Sequence, residues 1–140
     1  MSARARGEVT SEKAADERLA TEWHQLMGRY QRLMCALDRE LGSAHGLTAS
    51  EFEVLQQLHQ ADDCSMRLRE LGDGAHLSQS ALSRLVARLE SDGLLERRTC
   101  SEDRRAQYVA LTAAGRERYA DARPTQRQVL RENGGDCLAS

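Results

Sequence analysis

The sequence predicts a mainly α-helical fold that carries one small β-hairpin. Apolar residues recur with helical spacing over most of the 140-residue chain. Only two short runs, Leu94-Leu95-Glu96-Arg97-Arg98 and Gln107-Tyr108-Val109-Ala110-Leu111, read as strands. The hairpin they form follows directly on the best-defined helix, so the two make one unit.

That helix has a start, a buried side and an end. Ser78 suits the N-cap, where its hydroxyl accepts an unpaired N–H of the first turn. Leu82, Leu85, Val86 and Leu89 make one apolar stripe. Gly93 follows the last periodic residues and suits a left-handed C′ position. The other side carries Gln79, Ser80, Ser83, Arg84, Ala87 and Arg88. A helix lying in a major groove contacts base edges through its N-terminal residues. Glutamine and arginine match adenine and guanine edges there, and serine suits base or phosphate. Taken alone, this is equally an ordinary amphipathic surface helix.

The hairpin tip, Ser101-Glu102-Asp103-Arg104-Arg105, presents two arginines. Arginine fits the narrow, electronegative minor groove. Asp103 can orient Arg105 through a charge-assisted hydrogen bond. A solvated turn is the plain alternative, and the position just after the helix argues against it. Helix and charged hairpin together predict a winged helix-turn-helix with long dimerisation helices. Ser78, Gln79, Ser80, Ser83, Arg84, Arg88, Asp103, Arg104 and Arg105 are its candidate contacts to double-stranded DNA.

The remaining elements follow in order. Residues 1–15 are small and polar without a period and read as a disordered N-terminal arm. From Asp16 to Leu41 the residues Leu19, Trp23, Leu26, Met27, Tyr30, Leu33, Met34, Leu37 and Leu41 sustain one stripe. Such a helix is about 39 Å long, more than so small a domain can cover. Residues 16–47 are therefore expected to be a dimerisation helix, with a long core helix in a monomer as the alternative. Thr48-Ala49-Ser50-Glu51 is a capping box opening a helix that buries Phe52, Val54, Leu55 and Leu58 and runs to about Gln60. Ala61-Asp62-Asp63 reads as a loop. Arg67 to Asp73 reads as the first helix of the helix-turn-helix, weakened by Gly72 and followed by Gly74, with His76 in the turn. Residues 48–111 make up the expected DNA-binding region. Thr112 caps a C-terminal helix that Pro124 is expected to kink or break and that stops at Asn133-Gly134-Gly135.

Composition narrows the function classes. Aromatic residues are 4% of the chain, too few for stacking platforms on single-stranded nucleic acid. The net charge is −2, but residues 78–118 hold eight Arg/Lys against six Asp/Glu, so the positive excess falls where DNA contact is expected. No apolar run approaches a membrane span and no signal-peptide core opens the chain, which points to the cytoplasm. Cys35, Cys64, Cys100 and Cys137 show no C-x-x-C spacing. His24, His45, His59 and His76 show no i, i+4 pairing, so nothing calls for a metal or another cofactor. No phosphate loop or nucleophile–base pair suggests an enzyme.

Leu77 to Gly115 resembles the core of the multiple-antibiotic-resistance regulator (MarR) family. The matching pieces are L-S-Q-S-A-L-S-R-L-V-A-R-L-E-S-D-G-L from Leu77, D-R-R at Asp103, and L-T-A-A-G from Leu111. Together they are specific, and the resemblance extends back to about Trp23. It implies a dimeric winged-helix transcription regulator, usually a repressor released by a small molecule or an oxidant, acting on a pseudo-palindromic operator. Family effectors bind between the dimerisation helices and the winged region, which makes Trp23, His24, Tyr30 and His45 candidate lining residues; packing for Trp23 and Tyr30 and solvent for the two histidines is the favoured plain alternative. For an oxidant signal, Cys100 stands among Arg97, Arg98, Arg104 and Arg105 in sequence, whereas Cys35 lies inside the long helix. Residues 112–140 are a C-terminal helix and tail shorter than the family usually has. The rival reading is a winged-helix protein-interaction module without DNA binding.

Overall fold

The computed structural model describes residues 3–99 and 106–138. Five helices and three strands follow one another as α1 (Ala3–His45), α2 (Ala49–Gln60), a 3₁₀ turn (Asp62–Cys64), β1 (Ser65–Arg67), α3 (Leu68–Gly74), α4 (Gln79–Ser91), β2 (Leu95–Thr99), β3 (Gln107–Leu111) and α5 (Ala113–Leu138). The strands form one antiparallel sheet in the order β1-β3-β2. Met66 stands opposite Val109, and Leu95 opposite Leu111. The fold is therefore mainly α with a small antiparallel sheet, of which the hairpin is the larger part.

Leu41, Phe52, Leu55, Leu58, Leu71, Leu82, Val86, Leu89 and Val109 are all fully buried, so α1, α2, α3, α4 and the sheet share one core. The capping box closes as expected. Glu51 N–H donates to Thr48 Oγ1 at 3.0 Å, and Thr48 N–H donates to Glu51 Oε1 at 2.9 Å. A further carboxylate oxygen, Asp38 Oδ1 on α1, accepts from Ala49 N–H at 2.8 Å. The amino end of α2 is thus tied to both its own cap and α1.

Four expectations are corrected. Residues 3–15 are helical and belong to α1, where a disordered arm was expected. The segment lacks an apolar period, yet Ala3, Ala5, Glu8, Glu12, Lys13, Ala14 and Ala15 are good helix formers with no proline among them. Pro124 lies inside α5 without ending it, and the helix runs on through Asn133, Gly134 and Gly135 to Leu138. Proline removes one backbone bond, but Tyr119 and Ala122 before it and Gln126 and Val129 after it are buried, and that packing carries the helix across. Strand β1 has no counterpart in the sequence reading, which leaves Ser65 and Met66 unassigned and starts a helix at Arg67. It exists by pairing with β3, a contact more than 40 residues away in sequence. Gly72 is not a flaw in α3, because a Cβ there would stand 2.6 Å from Gln79 Nε2 and 3.3 Å from Leu82 Cδ2. The missing side chain lets α4 sit against α3.

The L-T-A-A-G run has a similar cause. Thr112 N–H donates to the Leu94 carbonyl at 3.1 Å, and its hydroxyl donates to the Gly93 carbonyl at 2.7 Å while accepting from Gly115 N–H at 3.0 Å. These bonds press the first turn of α5 against the chain entering β2. A Cβ at Gly115 would fall on the Leu94 carbonyl oxygen. Gly115→Ala must push α5 off β2, and an overpacked backbone contact of this kind costs roughly 2–4 kcal/mol. Urea unfolding should show a lower midpoint with an unchanged slope; a midpoint equal to wild type would contradict this packing.

Candidate nucleic-acid interface

The N-cap of α4 forms as its sequence suggests: Ser78 Oγ accepts from Ala81 N–H at 3.2 Å. Leu82, Val86 and Leu89 bury one side of the helix. Gln79, Ser80, Ser83, Arg84, Ala87 and Arg88 are all exposed along the opposite side. Past the C-cap Asp92, Gly93 takes φ +78° and turns the chain into β2. A polar helical face with an arginine one turn in is thereby seated on the core, with the three-stranded sheet beside it.

The named residues do not all do the same thing. Ser78 is occupied in capping and also lies 3.3 Å from Ser80 Oγ. Gln79 reaches over Gly72 and lines a groove of about 640 Å³ with Arg67, Arg69, Glu70, Asp73 and Gln107. Ser83 and Arg84 project from the exposed face, and Arg84 has no ion-pair partner among the described residues. Arg88 is engaged elsewhere, its Nε standing 3.6 Å from Oε2 of Glu51. Asp103, Arg104 and Arg105 lie outside the described residues, as does Cys100.

The sheet presents more basic groups than the tip alone suggested. Arg67 Nε donates to Tyr108 Oη at 3.0 Å, and its guanidinium lies 5.6 Å from that ring's centre. Arg97 pairs with Glu90 of α4 at 3.3 Å and so links the hairpin to that helix. Arg67 and Arg69 were missed in the sequence because the groove they line exists only once β1 pairs with β3.

Of the four candidate ligand-lining residues, the structure brings one to a cavity. Tyr30 lines a cleft of about 560 Å³ together with Leu33, Met34, Leu37, Phe52, Glu53, His76, Gln126 and Leu130. Trp23 and His24 lie further along the exposed part of α1, His24 in a shallow groove with Arg29 and Arg32. His45 is a structural link: its Nε2 lies 2.7 Å from Thr125 Oγ1, and its carbonyl accepts from Arg118 Nη1 at 2.9 Å. Leu33, Met34 and His76 went unnamed as lining residues. His76 enters the cleft from the α3–α4 turn, where it adopts φ +57°.

The MarR family model matches residues 47–106. The crystal structure of Sco3205 from Streptomyces coelicolor, a MarR family transcriptional regulator in complex with DNA, superposes with a TM-score of 0.80 at 30% identity, covering 89% of this chain and 77% of that one. The chain belongs to the MarR family. BpsR of Bordetella bronchiseptica, a protein whose DNA binding is regulated by 6-hydroxynicotinic acid, superposes with a TM-score of 0.74 at 25% identity over 83% of this chain and 86% of its own. Among curated sequences, the uncharacterised HTH-type transcriptional regulator YdgJ of Bacillus subtilis is 32% identical over 87 residues, 62% of this chain. The match spans about half the length of that MarR relative, 52%. The part shared with the MarR family model, residues 47–106, takes in α2 through β2 and includes the whole exposed face of α4.

Proposed function

We propose that this protein is a sequence-specific DNA-binding transcriptional regulator that works as a homodimer, a repressor released by a small-molecule or oxidant signal. The observation that carries the reading is the exposed Gln79–Ser80–Ser83–Arg84 face of α4, with the paired strands β2 and β3 beside it. The DNA complex of the similar Sco3205 supports it. Residues 48–111 are the DNA-binding region, with Arg105, oriented by Asp103, assigned to the minor groove and Arg104 as the reserve candidate. No helix among the described residues is long and apolar enough to cross a membrane, and we assign the protein to the cytoplasm and to no enzymatic activity.

Dimerisation is supported by α1. Leu19, Trp23, Leu26, Met27 and Tyr30 are large apolar residues on one stripe, each about half exposed or more, with Trp23 at 62%. An apolar stripe of this length marks a surface that a partner covers, and residues 16–47 are assigned to it together with α5. The cleft beside Tyr30, apolar with a few polar groups and within the usual size of ligand sites, is assigned to the effector. The regulation of BpsR by 6-hydroxynicotinic acid supports that assignment.

Selection of bound sequences from random duplex DNA tests the reading. The expected result is one enriched pseudo-palindrome, with half-sites about one helical turn apart, roughly 10 bp centre to centre. No enrichment over the starting pool would favour the protein-interaction module instead.

A further inference from the structure

We propose that Glu51 and Arg88 are a positioning pair that sets the roll of α4 on the body of the protein, so that Arg88 holds the helix and does not read DNA. The inference rests on the assignment of α4 as the DNA-contacting helix. Glu51 is 1% exposed, and its Oε1 is held by the Thr48 N–H of the capping box. Its carboxylate is thereby anchored at the start of α2. Oε2 lies 3.6 Å from Arg88 Nε, across the gap between α2 and α4.

The placement of that contact matters for a helix seated by a stripe. Leu82, Val86 and Leu89 fix how deep α4 lies and which side it buries. Ion pairs flank the row on both sides. Arg88 meets Glu51 of α2, and Glu90 meets Arg97 of β2 at 3.3 Å. Positions 88 and 90 are about 200° apart around a helix of 3.6 residues per turn, so the pairs pull on opposite flanks. Rotation of α4 would swing Ser83 and Arg84 off the bases. Glu51 is the fixed end of this device because it is buried, whereas Glu90 and Arg97 are each 40% exposed.

Two roles for Arg88 predict opposite signs, since its side chain is still 63% exposed. A phosphate contact would gain from freeing the arginine, so Glu51→Gln would leave binding equal or tighter, and Arg88→Met would flatten the salt dependence by about one unit of slope. A positioning pair loses specificity either way. The experiment measures affinity by fluorescence anisotropy on the duplex obtained by selection, over a salt series, with circular dichroism as the check on folding. Glutamine keeps an oxygen to accept from Thr48 N–H and puts a neutral NH2 donor where the charged Oε2 faced Arg88. The expected result is a loss of roughly tenfold for Glu51→Gln and for Arg88→Met, with an unchanged salt slope, no further loss in the double variant, and partial recovery with Arg88→Lys. If Glu51→Gln does not fold, the Arg88→Met and Arg88→Lys slopes decide alone. A flattened slope in Arg88→Met, or wild-type affinity in a folded Glu51→Gln, overturns the pair while leaving DNA binding intact. Failure of the wild-type protein to select any duplex overturns the functional reading and this inference with it.

Discussion

The double substitution Trp23→Glu, Leu26→Glu is expected to convert the protein to a monomer at micromolar concentration and to lower its affinity for a two-half-site duplex by about 10²–10⁴-fold. Both side chains are more than half exposed in the single chain, at 62% and 52%, and neither touches the core. The fold should therefore survive. What changes is the free energy of pairing α1 with its copy. Burying apolar area contributes about 25 cal/mol per Å², and two carboxylates placed on that stripe in each protomer, four in a dimer, would have to be buried without partners. DNA affinity falls by more than the dimer contacts alone suggest, because a monomer engages one half-site and loses the effective concentration the second protomer supplies. Sedimentation velocity reads the oligomer, and the same sample reads the duplex. A stable dimer in the double variant would place the interface away from α1.

Arg84→Ala is expected to cost about 1–3 kcal/mol of specific binding, the scale of one arginine reading a guanine edge. Arg84 lies on the exposed face with Ser83, opposite the buried Leu82, Val86 and Leu89. Among the described residues it has no ion-pair partner whose loss would disturb the fold. Unfolding midpoints should match wild type, and discrimination between the selected site and a site altered at one half-site position should shrink. An unaltered preference between those two duplexes would put a different residue on the base.

What could be read in the sequence was what is determined locally. The cap of α4, its stripe and its left-handed exit depend on Ser78, Leu82 to Leu89 and Gly93, all within one window. The Thr48–Glu51 box is equally local and formed as expected. Strand β1 was invisible because Ser65-Met66-Arg67 is too short a run to establish a strand period and becomes a strand only against β3. His45 was read as a cleft residue, and its partner Thr125 lies 80 positions on, where no sequence window joins them. Arg88 was grouped with Arg84 by periodicity, which reports the face of a helix and not the neighbour across it. A capping-box glutamate looked fully employed by its own helix end, yet its second oxygen faces α4. Gly72 was misjudged for the same reason: glycine is unfavourable in an isolated helix, yet here Gln79 and Leu82 of α4 approach its bare face.

The central claim is that a two-fold dimer presents two copies of α4 to successive major grooves of one duplex. Hydroxyl-radical footprinting of the selected duplex tests it most directly. The account predicts protection symmetric about a dyad, in two blocks whose centres lie about one helical turn apart, roughly 10 bp, and loss of both blocks with Arg84→Ala at a concentration that saturates the wild-type protein. A single asymmetric block, or protection unchanged by Arg84→Ala, would contradict it.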